Sequence, residues 1–147
     1  MTVFNSYYIG LLRNLYAGPD GAVMRGMQYR YQASVLVFNS KLSEKLYQFA
    51  NEELEEEKKL ASLIVQSGGD PVFANSENRF FNGRKIDYIK DIKQIMLQNI
   101  ENIEKSILDY KITELKIDNK LLKKELNIIA ENKKEQLNNL KTLFDFI

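Results

Sequence analysis

Glu53 and Glu56 stand three residues apart, as do Asn132 and Glu135, and each pair interrupts an apolar stripe of helical period. The first stripe reads Leu46, Phe49, 53, 56, Leu60; the second reads Leu122, Leu126, Ile129, 132, 135. Residues three or four apart share one face of a helix, so both pairs are aimed at a core. An unpartnered carboxylate there costs on the order of several kcal/mol. The usual partner of such a layer is a cation. The plain alternative is that the helices rotate slightly and the side chains reach solvent. Glu52, Glu55 and Glu57, together with Lys58 and Lys59, need only form a solvated face.

Composition narrows the chemistry. The 147 residues include no histidine and no cysteine, which removes imidazole and thiolate ligands, disulfides and a Ser-His-Asp set. No glycine-rich phosphate loop is present. The formal net charge of +1 and the lack of a basic stripe predict no nucleic-acid partner. Apolar runs such as Val35-Leu36-Val37-Phe38 are too short to span a membrane. Met1 to Gly10 lacks the flank and apolar block of a secretory signal. The expectation is one soluble, cytoplasmic domain over residues 1–147, large enough to bury a core.

The elements that must position these residues are helices. All glycines and both prolines lie in the first 83 residues, and beyond them only Asp118-Asn119 reads as punctuation. A short helix over about 4–16 ends at Gly18, and Pro19 suits the first turn of the next. That next helix carries Ala22, Gly26, Tyr29, Ala33 and Leu36 on one stripe; Asn39, Ser40 and Ser43 then offer caps. A third helix buries Leu42, Leu46, Phe49, Leu60 and Ile64 and runs to Gln66, where Ser67-Gly68-Gly69-Asp70-Pro71 stops it. Residues 72–85 show no helical period. A fourth helix carries Ile89, Ile92, Met96, Ile100, Ile103, Ile107 and Tyr110; after a turn near Lys116 to Asn119, a fifth buries Leu122, Leu126, Ile129, Leu140 and Phe144.

Connection lengths predict the topology. Two tight links make two antiparallel helix pairs. The segment between the pairs, roughly 17–19 residues, can extend about 55–60 Å. A helix of about 24 residues is only about 36 Å long. This connection can therefore run the length of a bundle. One long crossover between two hairpins is the ferritin-like arrangement.

Residue patterns agree. Gly21 is followed by Gln28-Tyr29-Arg30-Tyr31-Gln32, and Leu60 with Leu63-Ile64 leads to Gly68-Gly69-Asp70-Pro71. Asn82-Gly83 precedes Asp87-Tyr88, Ser106-Ile107 stands with Tyr110, and Ile128-Ile129 precedes residue 132. In this order and spacing the chain resembles the ferritin-like superfamily, in particular the manganese-catalase-like and rubrerythrin-like branch of spore-forming bacteria. The resemblance implies an all-α, antiparallel four-helix bundle with one long crossover from the third helix of the chain to the fourth, and a short extra N-terminal helix. It also implies a di-metal site taking one Glu from each of two helices and Glu-x-x-His from the other two. Carried onto this sequence, the two single glutamates become Ala22 and Ile103, with Glu104 adjacent to the latter. The first Glu-x-x-His becomes Glu53 and Glu56, and the second becomes Asn132 and Glu135. Only Glu53 keeps its ligand type.

Arg25 lies one helical turn after Ala22, where the family is usually small, and is expected to face the same layer. Its guanidinium would then pair with Glu53, Glu56 or Glu135 inside the vacated site; the alternative is that it snorkels to the surface. The expected function is that of a pseudo-enzyme with no cofactor and a structural or interaction role, in the cytoplasm or a spore. Its partner would be a second copy, as a homodimer, or related ferritin-like proteins. Phe4, Tyr7, Tyr8, Tyr16, Phe144 and Phe146 are interface candidates, or caps on the two ends of the core. The competing expectation is an all-oxygen site of Glu53, Glu56, Glu104 and Glu135, with or without Asn132, for Mn, Fe, Mg or Ca. A minor reading makes Tyr29 and Tyr31 redox side chains or a pocket lining.

Overall fold

The computed structural model describes residues 5–147; Phe4, with residues 1–3, lies outside them. Five α-helices are present: α1 (Ser6–Ala17), α2 (Ala22–Val35), α3 (Ser40–Gln66), α4 (Ile92–Leu115) and α5 (Lys120–Phe144). They fall into two compact units, Met1–Tyr88 with α1 to α3, and Ile89–Ile147 with α4 and α5.

Helix starts follow a single chemical rule. Asn5, Asn39, Asp91 and Asn119 each accept a hydrogen bond from the backbone N–H three residues on, satisfying a donor the helix leaves open. Each such cap is worth about 1 kcal/mol. The exception is α2, whose N-cap is Gly21. A Cβ there would sit 2.8 Å from the Tyr16 carbonyl oxygen, so the close approach of α1 to the start of α2 requires glycine. Pro19 does not begin α2, as the sequence suggests. It lies in a turn closed by Gly21 N–H to Gly18 C=O at 3.0 Å, where its fixed φ is equally suited.

In the first unit, α2 and α3 form a hairpin through residues 36–39. Its core is built from Ala22, Tyr29, Ala33, Leu36, Leu42, Leu46, Phe49, Leu60 and Ile64, all buried. The Ser43 hydroxyl donates to Ala33 C=O at 2.8 Å and ties the two helices near their junction. Gly68 adopts φ 89°, the left-handed conformation that ends α3. The segment after it is held without helical structure. Arg13 donates to Asp70 C=O and to Asn78 Oδ1, and the Tyr16 hydroxyl donates to Pro71 C=O. Residues 74 and 80 form an isolated antiparallel bridge, and one 3-10 turn spans Gly83–Lys85.

The second unit is the α4–α5 hairpin, linked by residues 116–119. Ile95, Met96, Ile103, Ile107, Tyr110, Leu122, Leu126, Ile129 and Leu140 are buried. Ile89, placed on the fourth helix by its spacing, precedes α4, because the Asp91 cap fixes the start.

Candidate functional site: a buried arginine with two glutamates

The centre of the first unit holds three charged side chains. Arg25 comes from the first turn of α2, Glu53 and Glu56 from the middle of α3, and all are buried, at 3%, 0% and 6% exposure. The guanidinium engages both carboxylates: Arg25 Nε donates to Glu53 Oε2 at 3.0 Å, and a terminal nitrogen donates to Glu56 Oε2. The other terminal nitrogen donates to Asp20 C=O. One planar fork therefore bridges the two glutamates and the chain entering α2. Lysine could not span these three acceptors with the same fixed geometry.

Packing holds the trio in place. Gly26 lies against Glu53, where an added Cβ would come within 3.4 Å of the Glu53 Cβ. The Tyr29 ring packs on Phe49, centroids 5.6 Å apart. The Tyr29 phenol is pushed well above its usual range, first by burial and then by Glu53, with Arg25 opposing. It stays a neutral phenol. Tyr31 lies instead at the edge of the hairpin, its ring 4.8 Å from Tyr88. Glu57 is half-buried, and burial raises its carboxyl, with Arg30 lowering and Glu53 raising it further.

Two buried polar residues of α2, Gln28 and Gln32, were given no role in the sequence reading. Gln28 reaches the backbone of Asp87 with both ends of its amide: Nε2 donates to Asp87 C=O at 2.7 Å, and Oε1 accepts from Asp87 N–H at 2.8 Å. A single side chain thus pins the end of the crossover to α2. The Gln28-Tyr29-Arg30-Tyr31-Gln32 run was the available signal, but the loop backbone it meets has no sequence signature.

The structure corrects the reading of α5. Asn132 and Glu135 are exposed, and Lys133 and Gln136 are buried, at 2% and 4%. Lys133 Nζ donates to Gln136 Oε1 at 2.7 Å. The stripe steps from Ile129 by four to residue 133, then three to 136 and four to Leu140, all buried. The expectation took the first step as three. Leu140 carried the signal, since 133 and 136 lie seven and four residues before it. In α4, Ile103 is fully buried and Glu104 exposed. Asn99 is a further buried polar side chain of α4 that the apolar pattern missed. Ala22, at the other non-ligating position, is also fully buried. Among the described residues the buried charged side chains are Arg25, Lys133, Glu53 and Glu56, two of each sign. Among them, too, no three or more His, Cys, Asp or Glu side chains are grouped as a metal ion would need.

The backbone defines the class: this is the ferritin-like helical bundle. The chain superposes on a manganese catalase, KatB from Anabaena PCC7120, with a TM-score of 0.90 over 99% of its own length and 74% of the catalase, at 16% sequence identity. A second structure, of wild-type KatB from Anabaena, gives a TM-score of 0.88 with the same identity and coverage. No family model matches the sequence, and no curated protein does. Among the described residues no helix is long and apolar enough to cross a membrane.

Proposed function

We propose that this chain is a single-domain, non-catalytic ferritin-like protein, a pseudo-enzyme in which protein side chains take over the charge role of a di-metal centre. One observation carries the reading: the Arg25 guanidinium is bonded to both Glu53 and Glu56, which stand at the glutamate and histidine positions of the metal-binding motif that the resemblance implies. Manganese, the metal of the neighbouring catalases, does not fit this donor set. A divalent ion beside Glu53 and Glu56 would sit against a permanently charged guanidinium. Ala22 and Ile103 offer no donor atoms, and Glu104 and Glu135, needed for an all-oxygen site, are exposed.

The remaining role is structural or interactive, in a homodimer or an assembly with related ferritin-like proteins, in the cytoplasm or a spore. Tyr7 and Phe146 are strongly exposed, which suits interface material; Tyr16 is buried and serves the core.

The test is metal content. Protein purified without chelator and analysed by mass spectrometry should contain manganese and iron far below one ion per chain. Near-stoichiometric metal that is released by Glu53→Gln would overturn the proposal. Light scattering on the same sample should give a particle larger than one chain; a strictly monomeric particle would remove the assembly role.

A further inference from the structure

Between α2 and α3 the first unit opens a cleft of about 380 Å³, separate in its lining from the buried trio. That volume lies in the range of sites for small organic molecules. Its walls are Val23 and Met27 from α2 and Ala50 and Leu54 from α3. Gly26, in the interior of α2, also borders the cleft and contributes backbone alone. Two rings of the crossover complete the lining, Phe73 and Phe81, brought opposite each other by the Phe81 N–H to Phe73 C=O bond of 2.8 Å.

Asn51 of α3 adds an amide at the exposed edge, and two charged side chains also line the cleft, one from each helix: exposed Arg30 on α2 and half-buried Glu57 on α3. Their charges are opposite, and Arg30 holds the Glu57 carboxyl down against burial, yet no ion pair or side-chain hydrogen bond joins either to any described residue. An apolar lining with one uncommitted cation and one uncommitted anion is complementary to a molecule carrying the reverse arrangement. A simple anion would satisfy Arg30 and leave the half-buried Glu57 facing like charge; a simple cation would do the converse.

We infer that the cleft binds a small zwitterion with an apolar body, the chemistry of an aliphatic or aromatic α-amino acid. The ligand carboxylate meets Arg30, its ammonium meets Glu57, and its side chain lies between Phe73, Phe81 and the aliphatic walls. The neighbouring rings also favour a cationic group through their negative faces.

Calorimetry and amide NMR on the intact chain test this with L-phenylalanine, phenylpropanoate, which lacks the ammonium, and phenylethylamine, which lacks the carboxylate. L-phenylalanine should bind saturably and shift the amides of Gly26, Leu54 and Phe73. Each comparator should bind about tenfold more weakly, as expected for loss of one charge-assisted contact. Arg30→Gln and Glu57→Gln should each weaken L-phenylalanine by a similar factor, with helical circular dichroism unchanged. No saturable binding, equal binding of all three molecules, or indifference to both substitutions would overturn the proposal. So would amide shifts at the cleft that follow protein concentration alone, which would assign the face to a second copy. The comparators act on the unaltered protein, so the test survives a variant that misfolds.

Discussion

Arg25 Nε stands 3.0 Å from Glu53 Oε2, a pairing made where neither side chain meets solvent. Such a pair is expensive to assemble, and its net contribution over an apolar pair of similar volume is often nil or negative. Removing one partner is a different matter, because the other charge is left buried. Arg25→Ala should therefore destabilise the protein by about 3–5 kcal/mol in urea denaturation. Replacing all three of Arg25, Glu53 and Glu56 with Met, Leu and Leu should cost less than that single change. A surface-like loss below about 0.5 kcal/mol for Arg25→Ala would contradict the burial described here.

The same unfolding measurement separates the two faces of α5. Asn132→Ala and Glu135→Ala should each stay within about 0.5 kcal/mol of the parent, as exposed sites do. Lys133→Ala removes a buried side chain and leaves Gln136 without its 2.7 Å donor, so a loss of about 2 kcal/mol or more is expected. The reverse ranking would restore the phase read from the sequence.

These two sites show why the faces of α2 and α3 were legible and that of α5 was not. Arg25 and Glu53 could be matched because Ala22 and the Glu53–Glu56 spacing fix their faces, with buried leucines at 46 and 60 on either side of the glutamates. On α5 the stretch between Ile129 and Leu140 has only one buried apolar residue, Ala130, to set the phase. A step of three or four from Ile129 then decides everything, and lysine is seldom expected in a core. Helix ends were better marked: Asn39, Asn119 and the Gly68-Gly69 stop impose local chemistry that needs no tertiary partner. Gln28 was invisible for the opposite reason, since its partner lies 59 residues away in a loop.

Gln28 should act on the crossover rather than on the helices. Gln28→Ala removes both amide bonds to the Asp87 backbone, at a cost of about 1–3 kcal/mol for polar groups that stay shielded from water. Gln28→Glu keeps the acceptor for Asp87 N–H and loses the donor, so an intermediate effect is expected. Hydrogen exchange at the Asp87 amide should accelerate in Gln28→Ala while exchange in the middle of α3 changes only with global stability. Unchanged Asp87 exchange would show that the amide pair does not anchor the segment.

Tyr16 gives the fold an alkaline limit. Its phenol is pushed up to about 12, by burial first and then by the negative charges of Glu57 and Asp70. An unfolded tyrosine titrates near 10. The folded state thus holds a proton that the unfolded state releases between those values. Stability from this group is complete below about pH 10 and falls as pH rises toward about 12. The hydroxyl also donates to Pro71 C=O at 3.1 Å, a bond that ionisation abolishes. Tyr16→Phe loses that bond at neutral pH, so its stability there should be lower than the parent's. Across the alkaline window it should decline less steeply, because phenylalanine has no proton to lose. Tyr29, buried and also pushed up, contributes to the limit in both proteins, so parallel alkaline denaturation curves would remove Tyr16 as a contributor to it.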